Sequence, residues 1–148
     1  MVSDLQIITR LTLSLVLSGL IGLERQILRR NAGLRTHILV CIGSCLIMLT
    51  SLYVFDIYKN TVSLDPSRIA AGVITGIGFL GAGTIIRDRE GVKGLTTAAS
   101  LWVVAGIGLA VGCGFYSAAL FTTFLSLIVL FFFRHMEGKI FLGSKFRE

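Results

Sequence analysis

Residues 68 to 84 read Arg68-Ile-Ala-Ala-Gly-Val-Ile-Thr-Gly-Ile-Gly-Phe-Leu-Gly-Ala-Gly-Thr84. They follow Asp65-Pro66, where the aspartate is a favourable helix N-cap and the proline suits the first helical position. No charge occurs from Ile69 to Ile86, and at about 1.5 Å per residue this stretch crosses most of a hydrocarbon core. The sequence therefore predicts a membrane-spanning helix that begins at Asp65-Pro66 and is unusually rich in glycine.

The glycines of this helix lie on two faces when about 100° is allowed per residue. Gly72, Gly76 and Gly83 share one face, whereas Gly78 and Gly81 lie on the other. Small residues allow membrane helices to approach closely, so we expect a central helix with neighbours on two sides. Phe79 falls on the first face, where we expect it to fill a gap between the glycines. The alternative is that the glycines are merely tolerated in a membrane span.

Gly76-Ile-Gly78-Phe-Leu-Gly81 also matches the bare spacing of a dinucleotide-binding fingerprint. That motif requires a preceding strand within a soluble βαβ unit. An uncharged helical segment provides neither, which argues against a nucleotide site.

The composition is that of an integral membrane protein, for which the lipid bilayer is the first partner. The chain has 148 residues, of which 54% are hydrophobic and 15% are charged, and its mean hydropathy is +0.85. These values exceed the apolar content of soluble domains. The net charge of +6 does not indicate nucleic acid binding, because the basic residues cluster at the ends of apolar segments.

Five apolar segments predict an all-α bundle of five transmembrane helices, at about 5–22, 37–55, 69–86, 95–112 and 115–133. Eleven of the fourteen Lys and Arg residues lie in the first loop, the third loop and the tail. By the positive-inside rule the N-terminus is expected outside and the C-terminus in the cytoplasm. We therefore expect one transmembrane domain over residues 1–137, followed by a short cytoplasmic tail over 138–148 with no C-terminal regulatory domain.

Polar residues at the inner ends of the first two segments form one candidate site. Glu24 and Arg25 follow directly on the first segment, and Arg35 and His37 lie at the start of the second. A carboxylate near several basic groups and an imidazole is a plausible polar cluster, although ordinary interfacial charge explains the residues equally well. A single imidazole does not define a metal site, so the metal ligands are left unknown.

At the outer end, Asp65 has two compatible roles, as a helix cap and as an acid that attracts a cation beside Arg68. Arg10 lies near the start of the first segment. It is expected to reach the interface or to pair with an acid such as Asp65.

The fourth segment is expected to begin with a threonine cap, either Thr96 or Thr97. Its small residues Ala98, Ala105 and Gly112 recur every seven positions, and we expect them to pack against the glycine helix. Trp102 is predicted to need an internal partner such as Thr75 or Ser100 for its indole N–H. Cys41 and Cys45 are interpreted as packing residues.

Five stretches together resemble the MgtC/SapB family of bacterial membrane proteins. They are Gly22-Leu-Glu24-Arg25, Ala32-Gly-Leu-Arg-Thr-His37, Asp65-Pro-Ser-Arg-Ile-Ala-Ala71, Gly76-Ile-Gly-Phe-Leu-Gly-Ala-Gly83 and Val92-Lys-Gly-Leu-Thr-Thr-Ala-Ala-Ser-Leu-Trp102. The resemblance implies a protein of the bacterial cytoplasmic membrane, whose best-known relatives support growth in low magnesium and survival inside macrophages. For that branch the resemblance implies binding to the membrane sector of the ATP synthase; magnesium transport is the older idea.

Two departures from the family pattern accompany this resemblance. The family often has an acid at position 26 and glutamine at position 72, where this chain has Gln26 and Gly72, so we expect a polar contact to be lost. The virulence-type members continue into a cytoplasmic regulatory domain that is expected to be missing here.

The leading hypothesis is a non-enzymatic, cofactor-free membrane protein that forms homo-oligomers and acts on a membrane partner during magnesium or acid stress. A magnesium, cation or solute transporter is the alternative. A purely structural membrane scaffold is the third possibility.

Overall fold

The computed structural model describes residues 2–61, 63–89 and 91–133. Within them are five α-helices: α1 Asp4–Ile27, α2 Leu34–Tyr58, α3 Ser67–Thr84, α4 Leu95–Cys113 and α5 Tyr116–Ile128. A π-helical turn, Val129–Phe133, continues α5, and two short strands, β1 Ile86–Asp88 and β2 Gly91–Lys93, lie between α3 and α4. The predicted tail, 138–148, lies outside the described residues.

Each predicted apolar segment coincides with a helix of the structure. Three helices, α1, α2 and α4, are long and apolar enough to cross a membrane, and the segment that contains α5 is apolar but shorter. Large apolar side chains such as Leu5, Leu39 and Phe131 are widely exposed on the outer surface, as expected for contact with lipid. The number of membrane crossings and their orientation stay predictions.

Helix α4, not α3, lies at the centre of the bundle. It packs against each of the other four helices, and its side chains Val104 and Val111 are completely buried. Helix α3 packs mainly against α2 and α4. Its buried residues form a single stripe, Ala70, Val73, Ile77 and Gly81. The expected central position of α3 was therefore wrong, because only one of its faces has neighbours among the described residues.

The closest helix contact joins α2 and α4 through two glycines. A Cβ atom on Gly108 would lie 2.3 Å from the carbonyl oxygen of Cys41, and one on Gly112 would lie 2.7 Å from Cβ of Met48. Since real Cβ atoms do not approach other atoms so closely, these positions accept only glycine without a shift of one helix. Cys41 and Cys45 are fully buried in the apolar core beside this crossing.

A glycine turn joins α4 to α5. Gly114 has a positive φ of 88°, and its N–H donates to the carbonyl of Val111 over 3.0 Å. The next N–H, from Phe115, donates to Ala110 over 2.8 Å. This pattern is the Schellman motif, which ends a helix and reverses the chain within a few residues.

The link between α3 and α4 is a short β-hairpin that the sequence did not predict. Strands β1 and β2 pair antiparallel, with Arg87 opposite Val92. Gly94 then precedes α4 with a φ of 93°, and a Cβ atom there would lie 2.0 Å from the Thr84 carbonyl oxygen. The expected threonine cap was wrong, since α4 begins directly after this glycine and Thr97 is buried inside the helix.

Helix α3 begins one residue later than predicted, with Pro66 at the cap position. The Asp65 carboxylate still accepts the N–H of Ser67 over 2.8 Å, so it satisfies a free backbone donor of the first turn. The Ser51 hydroxyl donates to the carbonyl of Pro66 and thereby fastens α2 to the start of α3.

Candidate functional site

Polar residues form a cluster where α1 ends and α2 begins, at the end of the bundle that is predicted to face the cytoplasm. Arg25 has only 3% of its side chain exposed, and its guanidinium pairs with the carboxylate of Glu24 through two hydrogen bonds, one of them 2.7 Å long from Nη2 to Oε1. A Cβ atom on Gly22 would lie 3.0 Å from Cβ of His37, so α1 approaches α2 closely at this point. The charges of both Arg25 and Glu24 act on His37.

His37 connects α2 to α4 at the same end of the bundle. Its side chain is fully buried, with Nδ1 2.8 Å from the carbonyl oxygen of Gly33. Its Nε2 lies 3.0 Å from the Ser100 hydroxyl, which in turn lies 2.8 Å from the carbonyl oxygen of Thr97. The imidazole is therefore held on both sides by hydrogen bonds in the interior of the bundle.

Of the residues predicted for this cluster, Arg35 lies outside it. Arg35 is exposed on the surface. Gln26, where a polar contact was expected to be lost, accepts the N–H of Leu34 over 3.3 Å and so helps to satisfy the first turn of α2.

An apolar cavity of about 290 Å³ lies between α4 and α5 and reaches the Ser100 side of the histidine. Its lining includes Ile21, Thr96, Val103 and Ser126. Ser100 is thus the residue that separates the enclosed imidazole from this cavity.

Asp65 and Arg68, the candidates predicted at the outer end, lie beside the C-terminal end of α2 and are exposed. They line a cleft with Ser51, Phe55 and Ser63. Hydrogen bonds from Ser67, assisted by the charge of Arg68, hold the pKa of the Asp65 carboxyl below its ordinary value. The structure does not bring these residues together with His37 and the Glu24–Arg25 pair.

Arg10 does not pair with Asp65. Its Nη1 donates to the carbonyl oxygen of Gly112 over 2.7 Å, and its Nε donates to the Tyr116 hydroxyl over 3.1 Å. A cation at the C-terminal end of a helix meets unpaired carbonyls and the negative end of the helix dipole. The end of α4, where the glycine turn to α5 begins, thus takes the place of the expected acid partner.

Within the described part of the chain, most glycines of α3 face open space. A Cβ atom would meet no atom within 4 Å at Gly72, Gly76, Gly78 or Gly83. Phe79, which lies among them on the helix, is 83% exposed and fills no gap within the chain. We call the surface formed by Gly72, Gly76, Phe79 and Gly83 the glycine face of α3.

Gly81 differs, because it lies on the buried stripe. A Cβ atom there would be 3.6 Å from Cβ of Ala98. Ala105, one of the predicted packing residues, is fully buried and belongs to a cluster with Val73 and Ile77 of α3.

A groove between α2 and α3 continues the glycine face. Gly43 of α2 lines it together with Gly72 and Gly76 of α3. Its walls are otherwise mainly apolar, with Leu39, Ile47 and Leu80 among them.

Trp102 lies on the outer surface and is 53% exposed. The predicted internal partner was wrong, because Ser100 is engaged with His37 and Thr97 instead. Among the described residues, no group of three or more His, Cys, Asp or Glu side chains could hold a metal ion.

Sequence reasoning missed the roles of three residues that the structure makes important: Ser100, Gly108 and Tyr116. Gly108 and Gly112 are four residues apart, and this spacing of small residues is typical of close contacts between membrane helices. The sequence therefore contained a signal for this contact. Ser100 and Tyr116 have no local pattern, since their partners lie 63 and 106 residues away along the chain.

Comparisons with known proteins agree with the family resemblance. The sequence model of the MgtC family matches residues 11–139. No solved structure matches the chain.

Three curated relatives illustrate the range of the similarity. YhiD of Escherichia coli K12, whose name proposes magnesium transport, is 46% identical over 91% of this chain and 64% of its own length. MgtC of Salmonella typhimurium is 43% identical over 90% of this chain and 54% of its own length. SapB of Bacillus subtilis is 37% identical over 93% of this chain and 60% of its own length. The chain thus spans between about half and two thirds of these relatives.

Proposed function

The chain belongs to the MgtC family of magnesium-related membrane proteins, and we propose that it acts without catalysis by binding another protein within the bacterial inner membrane. The proposed role is adaptation to low magnesium or a related stress. Its proposed partners are further copies of the chain and a membrane complex such as the membrane sector of the ATP synthase.

The observation that carries this proposal is the glycine face of α3. Glycine costs helix stability relative to alanine, by about 1 kcal/mol at each interior position. Within a chain, that cost is offset where the missing side chain admits a neighbouring backbone, as at Gly108. At Gly72, Gly76 and Gly83 no neighbour among the residues that the structure describes uses the space. A helix from another chain would use it, because lipid-exposed small residues favour close backbone approach.

The test is substitution of the glycine face in the full chain. Gly76→Leu and Gly83→Leu should fold, since both positions are open, but should remove the complexes that the parent forms in native gels and crosslinking of membranes. Gly106→Leu is the matched control, because a Cβ atom at Gly106 of α4 also meets nothing within 4 Å. Complexes that are unchanged in the α3 variants would contradict the proposal.

Magnesium transport is the second candidate, and the name of the similar YhiD favours it. The two charged sites at opposite ends of α2 would then serve entry and exit. Magnesium flux into proteoliposomes should exceed that of empty liposomes and should fall in Asp65→Asn and Glu24→Gln variants of equal folded yield. Flux equal to that of empty liposomes would leave partner binding as the preferred function.

A further inference from the structure

The hydrogen bonds around His37 can be assigned by counting protons. The Gly33 carbonyl oxygen can only accept, so Nδ1, 2.8 Å away, must carry a proton. The Ser100 hydroxyl lies 3.0 Å from Nε2 and 2.8 Å from the Thr97 carbonyl oxygen. Because a hydroxyl has one proton, it donates either to Nε2 or to Thr97, but not to both.

These distances fit two protonation states with the same heavy-atom positions. In the neutral imidazole, Ser100 donates its proton to Nε2. In the imidazolium, Nε2–H donates to the Ser100 oxygen, and the hydroxyl turns to donate to the carbonyl of Thr97. Only in the charged state do both short contacts of Ser100 become hydrogen bonds at once.

We propose that His37 is a reversible proton-binding site between α2 and α4, and that Ser100 reverses the direction of its hydrogen bond when His37 takes up a proton. Ser100 is a positioning residue in this site, since it orients the ring and accepts from its charged form.

The charged surroundings of His37 come from the neighbouring helices. Helix α1 contributes the Glu24 carboxylate and the Arg25 guanidinium, whereas α4 contributes the Ser100 hydroxyl, 3.0 Å from Nε2. On α2 itself, Arg35 is exposed on the surface, and the thiol of Cys41, one turn further on, is buried.

Protonation would add a second cation beside the buried pair of Arg25 and Glu24. The carboxylate would then attract two cations instead of one, and the two cations would repel each other. The end of α1 would therefore respond to a proton bound between α2 and α4. This site does not depend on whether the protein acts through a partner or transports an ion.

The test follows the two ring nitrogens of His37 by nitrogen-15 NMR of the full chain in lipid nanodiscs. A His135→Asn background leaves His37 as the one histidine to observe. Acidification should convert Nε2 reversibly from the unprotonated to the protonated form, while Nδ1 stays protonated in both. A ring that keeps one protonation state over the whole range in which the protein stays folded would overturn the proposal.

Substitutions of Ser100 distinguish a proton-binding site from a hydrogen bond that has only a structural role. Ser100→Ala should move the titration to lower pH by about one unit or more, because the imidazolium loses its acceptor. Ser100→Thr retains a hydroxyl and should restore the parent titration, and its added methyl group can enter the adjoining cavity. The matched control is Ser44→Ala, a buried serine on α2 that donates to the Val40 carbonyl. Equal titrations in the Ser100→Ala and Ser44→Ala variants would also overturn the proposal.

Discussion

Two glycine-containing helices of this protein use their glycines in opposite ways. On α4, Gly108 and Gly112 lie against the backbone of α2 and leave no room for a side chain. On α3, Gly72, Gly76 and Gly83 face open space. Small-residue spacing therefore marks surfaces for close approach without saying whether the neighbour belongs to the same chain.

Among these glycines, the largest loss of folded protein is expected from a substitution at Gly108. Gly108→Leu places side-chain atoms into the Cys41 carbonyl, so α2 and α4 must separate, at a cost of about 3 kcal/mol or more. The folded yield on size-exclusion chromatography in detergent should fall sharply. Gly106→Leu, on the same helix but in open space, should retain the parent yield. Equal yields of the two variants would mean that the crossing of α2 and α4 is looser than described.

The next largest effect is expected at the far end of α4, beside Gly112. Arg10→Met removes the donor to the Gly112 carbonyl and the cation from the helix end, and should cost about 2 kcal/mol of unfolding free energy. Tyr116→Phe removes only a neutral partner of Arg10 and should cost about 1 kcal/mol. Unfolding in a denaturing detergent series measures both. A larger loss of unfolding free energy from Tyr116→Phe than from Arg10→Met would mean that Tyr116, and not the Gly112 carbonyl, is the main partner of Arg10.

On the α3 side the same kind of change should have little effect on the isolated fold. Gly76→Leu replaces a poor helix former in open space, so the unfolding free energy should stay the same or rise by about 1 kcal/mol. A loss comparable to that of Gly108→Leu would mean that the glycine face of α3 is buried within the chain after all. The same unfolding series provides the comparison.

The smallest effect concerns the first turn of α3. The lowered pKa of Asp65 means that its carboxylate contributes stability above the ordinary value of about 3.9. This contribution is lost as the pH falls through the lower pKa of the folded protein. Asp65→Asn should therefore flatten this part of the acid dependence of the melting temperature, with Asp4→Asn as a control for the loss of one exposed carboxylate. Parallel curves of melting temperature against pH for the parent and Asp65→Asn would contradict the capping role of Asp65.

The positions of the helices could be predicted because their apolar runs are long and end at charges or glycines. The first helix nevertheless continues to Ile27, so Glu24 and Arg25 belong to its last turns and not to a loop. The hairpin of β1 and β2 was missed because strands of three residues are too short to establish a pattern.

The candidate site could be predicted only in part. Charges and an imidazole near the ends of apolar segments identified Glu24, Arg25 and His37. The partner of His37 could not be found, because serine is common in membrane helices and nothing local distinguishes Ser100 from Ser44. The error about α3 has a related cause: helical periodicity identifies a small-residue face, but burial depends on which helices pack beside it.

The most direct measurement is cysteine crosslinking in native membranes, in a Cys113→Ser background that removes the exposed native thiol. Gly76→Cys should form a crosslinked product with a second copy or another membrane protein, whereas Gly106→Cys, equally reactive toward a lipid-soluble maleimide, should not. Crosslinking at Gly76 alone would establish that the glycine face of α3 is used between chains. Full maleimide labelling at both positions without a crosslinked product at Gly76 would contradict the account.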